Sequence, residues 1–440
     1  MIITLPNIIF SFLLIISIGF FSLNINKLIR VIKLGKPVER NDNPGKRLLN
    51  MIRIALGQSK IVTKPISGIL HVIVYVGFII INIEILEIII DGLTGSHRFF
   101  SKIFNISVYN FLIASFEILA LLVLISVIVF WTRRNIVKIK RFLSSEMKGW
   151  PKFDADNILY FEVVLMLLFL SMNATDLILQ ERNYENYYVA GSFPVSTFLV
   201  PLFDSFTTST VYQLERIFWW SHIIGIFFFL NYLYYSKHLH ILLAFPNTYF
   251  ANLEEKGKFN VLESVKNEVL LMFYPEKATK NNQNIDKFGA SDVLDLNWVQ
   301  LMNAYSCTEC GRCTSECPAN LTGKKLSPRK IMMDTRDRLE KVSRNISNNK
   351  GEFIDDGDRL LDNYISKEEL WACTSCNACV EACPINIDPL SIIMDMRQYL
   401  IMEESSAHPD LNNMMNNIEN NGAPWPYNQM DRLNWKDESL

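Results

Sequence analysis

The chain has 440 residues, half of them apolar and 20 % charged, with 43 Lys and Arg against 45 Asp and Glu for a formal net charge of −2. Soluble domains carry about 25 % charged residues, and the mean hydropathy of +0.15 averages two unlike parts: long Ile/Leu/Phe runs up to about residue 250, then a half rich in Lys, Glu, Asp and Asn. A single soluble domain is excluded, and so is a nucleic-acid binder, because no basic footprint is present.

In chain order, five segments are apolar enough to span a hydrocarbon core about 30 Å thick, which takes roughly 20 helical residues: 8–25, 66–90, 109–131, 157–179 and 217–245. The first lacks a charged n-region and a small-residue cleavage site, so it reads as a retained span rather than a signal peptide. Ten Lys and Arg lie between Lys27 and Lys64, and seven between Arg133 and Lys152; the opposite loops offer Arg98, Lys102 and Arg182. Basic loops mark the cytoplasmic side. The expectation is a multi-pass protein of the inner (cytoplasmic) membrane, N-terminus outside, with the polar half in the cytoplasm.

Six histidines are present. His71 lies about five residues inside the cytoplasmic end of the second span, and His240 at matching depth in the fifth. His222 and His240 are 18 residues apart, five whole turns at 3.6 residues per turn, which predicts one face and about 27 Å of rise. His238 falls roughly 160° from His222 on the same helix. Equal depth on two helices suits a haem held edgewise between facing imidazoles, with His240 preferred over His238. The plain alternative for each, a polar group satisfied between helices, stays open.

Gly68-Ile-Leu-His71, His222 and Ser236-Lys-His-Leu-His240 resemble the five-helix cytochrome b subunit of respiratory nitrate reductase (gamma) and of membrane heterodisulfide reductase, over roughly residues 1–250. The resemblance implies b haems ligated from spans two and five. The outer ligand it implies on span two, about ten residues after His71, falls at Ile81. That leaves His97 to face His222, so one haem b is expected at His71 and His240 and a second stays open.

Charged groups inside apolar helices default to function. Glu84, Glu87, Glu117 and Asp176 map to the outer half, near Asn82, Asn173 and Arg216. One reading is a proton-handling quinone pocket; the other is a structural cluster in which Arg216 pairs with a carboxylate.

All eight cysteines lie between Cys307 and Cys383. Cys307-x-x-Cys310-x-x-Cys313-x-x-x-Cys317-Pro318 and Cys373-x-x-Cys376-x-x-Cys379-x-x-x-Cys383-Pro384 are two copies of the bacterial ferredoxin run, in which the fourth cysteine ligates the other run's cluster. Cluster one is assigned Cys307, Cys310, Cys313 and Cys383; cluster two, Cys373, Cys376, Cys379 and Cys317. Structural zinc would use paired ligand sets, not four cysteines ending in Cys-Pro. The insert 319–372 contains a predicted helix over 328–343 and a polar connector over 345–358. With Trp371-Ala-Cys-Thr-Ser-Cys, residues 295–400 resemble the two-cluster iron–sulfur subunit of heterodisulfide reductase.

The expected architecture is an all-α membrane domain of five transmembrane helices (1–250), an amphipathic segment and linker (251–298), a mainly α dicluster ferredoxin-like domain (299–400) and a polar partner-docking tail (401–440). The linker combines a helix over 261–273 with a Lys/Asn-rich connector over 277–287. No cysteine follows Cys383, and no flavin fingerprint or nucleophile set is recognisable. The chain therefore reads as an electron-transfer subunit between membrane quinone, haem b, two 4Fe–4S clusters and a separate cytoplasmic partner, a cysteine-rich redox subunit or a flavoprotein donor. The alternative is a membrane anchor and electron wire without a quinone site of its own.

Overall fold

Residues 4–255, 257–259, 261–277 and 287–438 are described by a computed structural model. Among them the secondary structure is helical, with no strand and two isolated bridges, Lys36 with Asn297 and Leu361 with Ile365. Five helices are long and apolar enough to cross a membrane. They are α1 (Leu5–Ile32) and, after the short α2 (Pro44–Met51), α3 (Pro65–Thr94), α4 (Ile106–Asn135), α5 (Trp150–Glu181) and α6 (Thr208–Tyr232). Pro44 and Pro65 begin their helices, where a missing N–H costs nothing. Large apolar side chains such as Ile15 (69 % exposed) and Phe111 (70 %) turn outward, while Ile113, Phe116, Phe169 and Ile223 fill the bundle interior.

The fifth span departs from expectation. It runs Thr208–Tyr235, not 217–245, and helical geometry stops at Ser236, whose φ of −110° and ψ of 153° are extended. Asp154 Oδ2 accepts the freed Lys237 amide at 3.0 Å, and Ser236 Oγ accepts from the His238 amide at 3.1 Å. The chain restarts as α7 (His240–Tyr249). Hydropathy cannot register this break, because the residues after it are apolar again; Ser236 is a good N-cap residue, and that was the available signal. With the break, the expectation that His222 and His240 share one helical face is corrected.

After α7 comes α8 (Glu263–Phe273), close to the expected amphipathic segment. Of the Lys/Asn-rich connector, residues 278–286 lie outside the described residues. The cysteine module consists of α9 (Trp298–Ser306), α10 (Arg312–Ser315), α11 (Pro318–Leu321), α12 (Pro328–Asn348), α13 (Lys367–Ala372), α14 (Ala378–Ala382) and α15 (Pro389–Met402). Leu301, Ile331, Leu339, Leu360, Ile392 and Met396 form its core. Arg338, fully buried, ties the insert down by donating to Asp292 (2.6 Å) and Asp356 (2.7 Å). The tail forms α16 (Pro409–Asn421) and leaves Trp425 and Tyr427 exposed.

The two basic loops are the ones that hold the module. Arg312 donates to the carbonyls of Lys60 (3.0 Å) and Ile61 (3.1 Å), and Lys60 Nζ donates back to the Glu381 carbonyl (3.1 Å). Arg329 donates to the Arg141 carbonyl (2.7 Å) and to Glu146 (2.6 Å). Gly68 makes the first of these contacts feasible: a Cβ there would meet Val62 Cα at 2.7 Å and the Ile61 carbonyl oxygen at 2.8 Å. Only glycine lets the 58–64 loop fold back onto α3, one turn from His71.

Candidate functional site

The two cysteine runs adopt the same local backbone. Glu309 and Gly311 in the first, and Ser375 and Asn377 in the second, have φ between +56° and +72°. Alternating left- and right-handed residues turn successive N–H groups into a concavity that favours anions, iron–sulfur centres among them. Ser375 N donates to Cys373 Sγ at 3.4 Å and Ile387 N to Cys383 Sγ at 3.3 Å. All eight cysteines are free of disulfides.

The chain brings the thiols together across the runs. Cys307 interacts with Cys310 and Cys383, and Cys313 with Cys307, Cys310 and Cys383 and more weakly with Cys379 of the second run. Cys373 interacts with Cys317 and Cys376, and Cys379 with Cys373 and Cys317. Burial pushes the Cys307 thiol up to about 12 and Cys383 up to about 11, so thiolates there need a cation to offset desolvation. Among the described residues no three His, Cys, Asp or Glu side chains close to single-ion distance. Cys307, Cys310, Cys313, Cys379 and Cys383 line one cavity.

The Cys307–Cys313 loop opens onto a cavity of about 320 Å³ whose other wall carries His71, His238 and His240. The His71 and His240 ring centres are 6.4 Å apart. A metal–imidazole bond is about 2 Å, which puts two rings on one axial line roughly 6 Å apart. The Lys237 carbonyl lies 3.0 Å from His240 Nδ1, and accepting a proton there leaves Nε2 as the ligating nitrogen, the usual arrangement behind a metal-bound imidazole. Burial also lowers the pKa of His240, which favours the neutral, ligating form. The Nδ1 atoms of His71 and His238 are buried without partners, and His238 lies 5.4 Å from His240. These residues fit a haem between His71 and His240, while the helical angle that set His240 above His238 does not hold across the break.

Lys237 also joins this wall to the cysteines. It ion-pairs with Glu309, which accepts from Arg336 at 2.8 Å. Neither Lys237 nor Glu309 was singled out in the sequence, since pairing across 72 residues leaves no local signal.

At the opposite end of the bundle, the four expected carboxylates are mostly spoken for. Asp176 accepts from Arg98 Nε (2.6 Å), with His97 Nε2 at 3.3 Å. Glu117 accepts from Asn173 and from the amides of Val195 and Ser196. Glu87 accepts from the Phe100 amide (2.7 Å) and the Tyr109 hydroxyl. Glu84, 3 % exposed, keeps Oε2 unpartnered. Arg216 does not join these groups; it pairs with adjacent Glu215. The buried cation of the cluster is Arg98, which the sequence marked only as a loop residue. His97 packs against Tyr187 at 4.4 Å and His222 against Phe169 at 5.9 Å, so the two rings have separate neighbours. Beside them lies a cavity of about 560 Å³ lined by Phe10, Asp91, His97, Tyr187, Arg216 and Trp219, among others.

Fold and site together define a two-run cysteine module of the iron–sulfur type held against five apolar helices. Residues 306–387 match the family described as 4Fe-4S dicluster domain. The probable iron-sulfur-binding oxidoreductase FadF of Bacillus subtilis is 30 % identical, over 93 % of this chain and 57 % of its own length. The EtfAB:quinone oxidoreductase of Syntrophomonas wolfei subsp. wolfei is 24 % identical, over 97 % of this chain and 59 % of its own. One subunit of the ferredoxin/F(420)H(2)-dependent CoB-CoM heterodisulfide reductase of Methanosarcina acetivorans is 29 % identical over 26 % of this chain and 56 % of its own. The chain spans less than two thirds of the length of these relatives. No solved structure matches it significantly.

Proposed function

We propose that the chain is a membrane electron-transfer subunit linking quinone in the bilayer to a redox partner on the side of the cysteine module. The observation that carries this reading is the cavity shared by His71, His240 and the first cysteine loop: no protein layer separates the proposed haem from cluster one. His71 and His240 would hold a haem b; Cys307, Cys310, Cys313 and Cys383 one 4Fe–4S cluster; Cys373, Cys376, Cys379 and Cys317 the other. When bound, these groups supply one-electron carriers; the protein's part is to fix their spacing and exclude water. Cys376, the exposed cysteine, sets cluster two at the surface where a partner can approach. The basic loops on the module side support a cytoplasmic position for it.

The quinone reading draws on the relative named as an EtfAB:quinone oxidoreductase and on the aromatic cavity at the far end of the bundle. Phe10 and Trp219 offer planes for a quinone ring, and Glu84, which lines a small adjoining cavity sharing Asp91, His97 and Trp219 with the larger one, is the group we assign to proton exchange; Glu87, Glu117 and Asp176 hold the surrounding backbone and Arg98. Asp91 at that cavity and His71 are 20 residues apart on α3, about 30 Å along the axis. Electron tunnelling falls exponentially with distance, so this placement requires a carrier at mid-depth. His222, 2 % exposed near the middle of α6, is the ring at that level; it packs against Phe169 and no histidine faces it among the described residues, so only one of the two ligands a b haem takes is present there.

The partner is a cysteine-rich redox protein or a flavoprotein, with Trp425 and Tyr427 as docking contacts. The test is the spectrum of the purified full chain. Reduction should produce a low-spin haem b signal that His71→Ala and His240→Ala abolish while both clusters remain. A chain carrying clusters and no haem overturns the reading.

A further inference from the structure

The cavity between the histidines and the first cysteine loop has an unbalanced charge. Its lining includes Arg133, Arg134, Arg141, Arg312, Arg329 and Lys237, with Glu309 as the one carboxylate. Four of these cations are accounted for. Lys237 pairs with Glu309, Arg329 with Glu146 (2.6 Å), Arg134 with Asp156 (3.4 Å), and Arg312 with two backbone carbonyls. Arg133 and Arg141 have no carboxylate partner among the described residues.

Arg141 Nε is buried with no acceptor, and its guanidinium lies 5.1 Å from the centre of the Phe142 ring. Burial and the neighbouring guanidiniums of Arg312, Arg133 and Arg329 pull its pKa below the usual value, opposed by Cys310. The Cys310 sulfur is the one anionic group set against these guanidiniums, and crowded, partly desolvated cations short of counter-charge are costly, so the site is incomplete as the protein alone builds it. The rest of this wall is apolar: Phe130, Ala155, Ile158 and Leu159. An occupant that completes it has a broad apolar body and two acidic groups along one edge. A neutral quinone offers the first and lacks the second.

We infer that Arg133 and Arg141 anchor the two propionates of the haem held by His71 and His240. The inference rests on the haem reading above and adds the orientation of the group: its acidic edge faces the 133–141 loop. It also makes that loop a determinant of redox equilibrium, because a cation beside the propionates favours the form carrying one more electron.

The experiment is a potentiometric titration of the full chain, following haem optically and the clusters by EPR, in wild type, the Arg133→Gln/Arg141→Gln double variant, and the Lys counterparts. Loss of both cations should shift the haem equilibrium about tenfold toward the oxidised form, 59 mV for a one-electron couple. The Lys variants, keeping charge, should stay near wild type. Loss of haem from the Gln variant with both clusters intact also supports anchoring. An unchanged haem potential with a lowered cluster potential assigns the guanidiniums to the cluster and overturns the inference, as does no shift in either. If the Gln variant loses clusters as well, the Lys pair decides: haem loss or a tenfold shift with charge retained contradicts the charge argument. A wild-type chain without haem refutes the parent reading instead.

Discussion

Glu309 should be the residue whose loss most weakens the junction between the helical bundle and the cysteine module. It lies between Cys307 and Cys310, its side chain 2 % exposed, and it pairs with Lys237 and Arg336, themselves 10 % and 16 % exposed. Glu309→Gln keeps the shape and removes the charge, leaving two cations facing a neutral amide. Removing one partner of a buried pair costs about 3–5 kcal/mol. Lys237 retains Asp154 at 4.0 Å and Arg336 retains Asp337 at 3.2 Å, which places the cost near the lower bound, about 3 kcal/mol, or on the order of 100-fold in a local opening equilibrium. Hydrogen exchange on the full chain with its clusters loaded reads this directly. Amides of 236–240 and 307–313 should lose about two orders of magnitude of protection, while α4 is unchanged. Unchanged protection at both segments, or an equal loss throughout the bundle, would refute the idea that this pair is the latch.

The other expectations follow from the same geometry. Cys317→Ser should remove the cluster shared with Cys373, Cys376 and Cys379 and spare the other; iron analysis and EPR showing loss of the first run's cluster instead would contradict crossed ligation. His238→Ala should retain the haem that His240→Ala loses, and the reverse outcome would move the axial ligand to His238. With Cys307 held up at about 12 and Cys383 at about 11, both thiols are protonated at neutral pH in the apo module. Rebuilding a cluster therefore releases protons and should improve as pH rises from about 6.5 to 8.5; the apo fold's own share of stability from these thiols is lost only when the pH climbs through their raised values. Equal reconstitution at both ends of that range would count against buried thiols. Trp425→Ala should reduce recovery of a co-purifying redox partner with both clusters intact, because docking energy concentrates in buried aromatics, and undiminished recovery would exclude this segment as the contact.

What could be read from the sequence was whatever chemistry writes at short range. The cysteine spacing carries its whole meaning within about a dozen residues, and the 306–387 match repeats it. Five apolar spans were legible because hydropathy accumulates along a helix. The end of the fifth left only Ser236 as a local sign, since Asp154, which also caps the break, acts from 83 residues away. His71 and His240 were paired on matched depth, and their ring centres lie 6.4 Å apart; the preference over His238 rested on a continuous helix from His222, which the break at Ser236 removes. The carboxylates in the spans were visible as charges, whereas their division into bonded groups and the free Glu84 depends on Arg98, Asn173 and backbone amides that only the fold assembles. The basic loops carry a topological signal in the sequence; Lys60, Arg312 and Arg329 make that region a docking surface for the module as well.

The central claim is that quinone, the histidine pair and the cysteine clusters form one electron path in this chain. The most direct measurement adds a short-chain quinol to the purified full chain and follows haem and clusters together, in wild type and in His240→Ala. In wild type the haem and then a cluster should be reduced, with cluster reduction by quinol lost in the variant although dithionite still achieves it. Quinol that reduces nothing in wild type, or reduces the clusters equally well without His240, would contradict it.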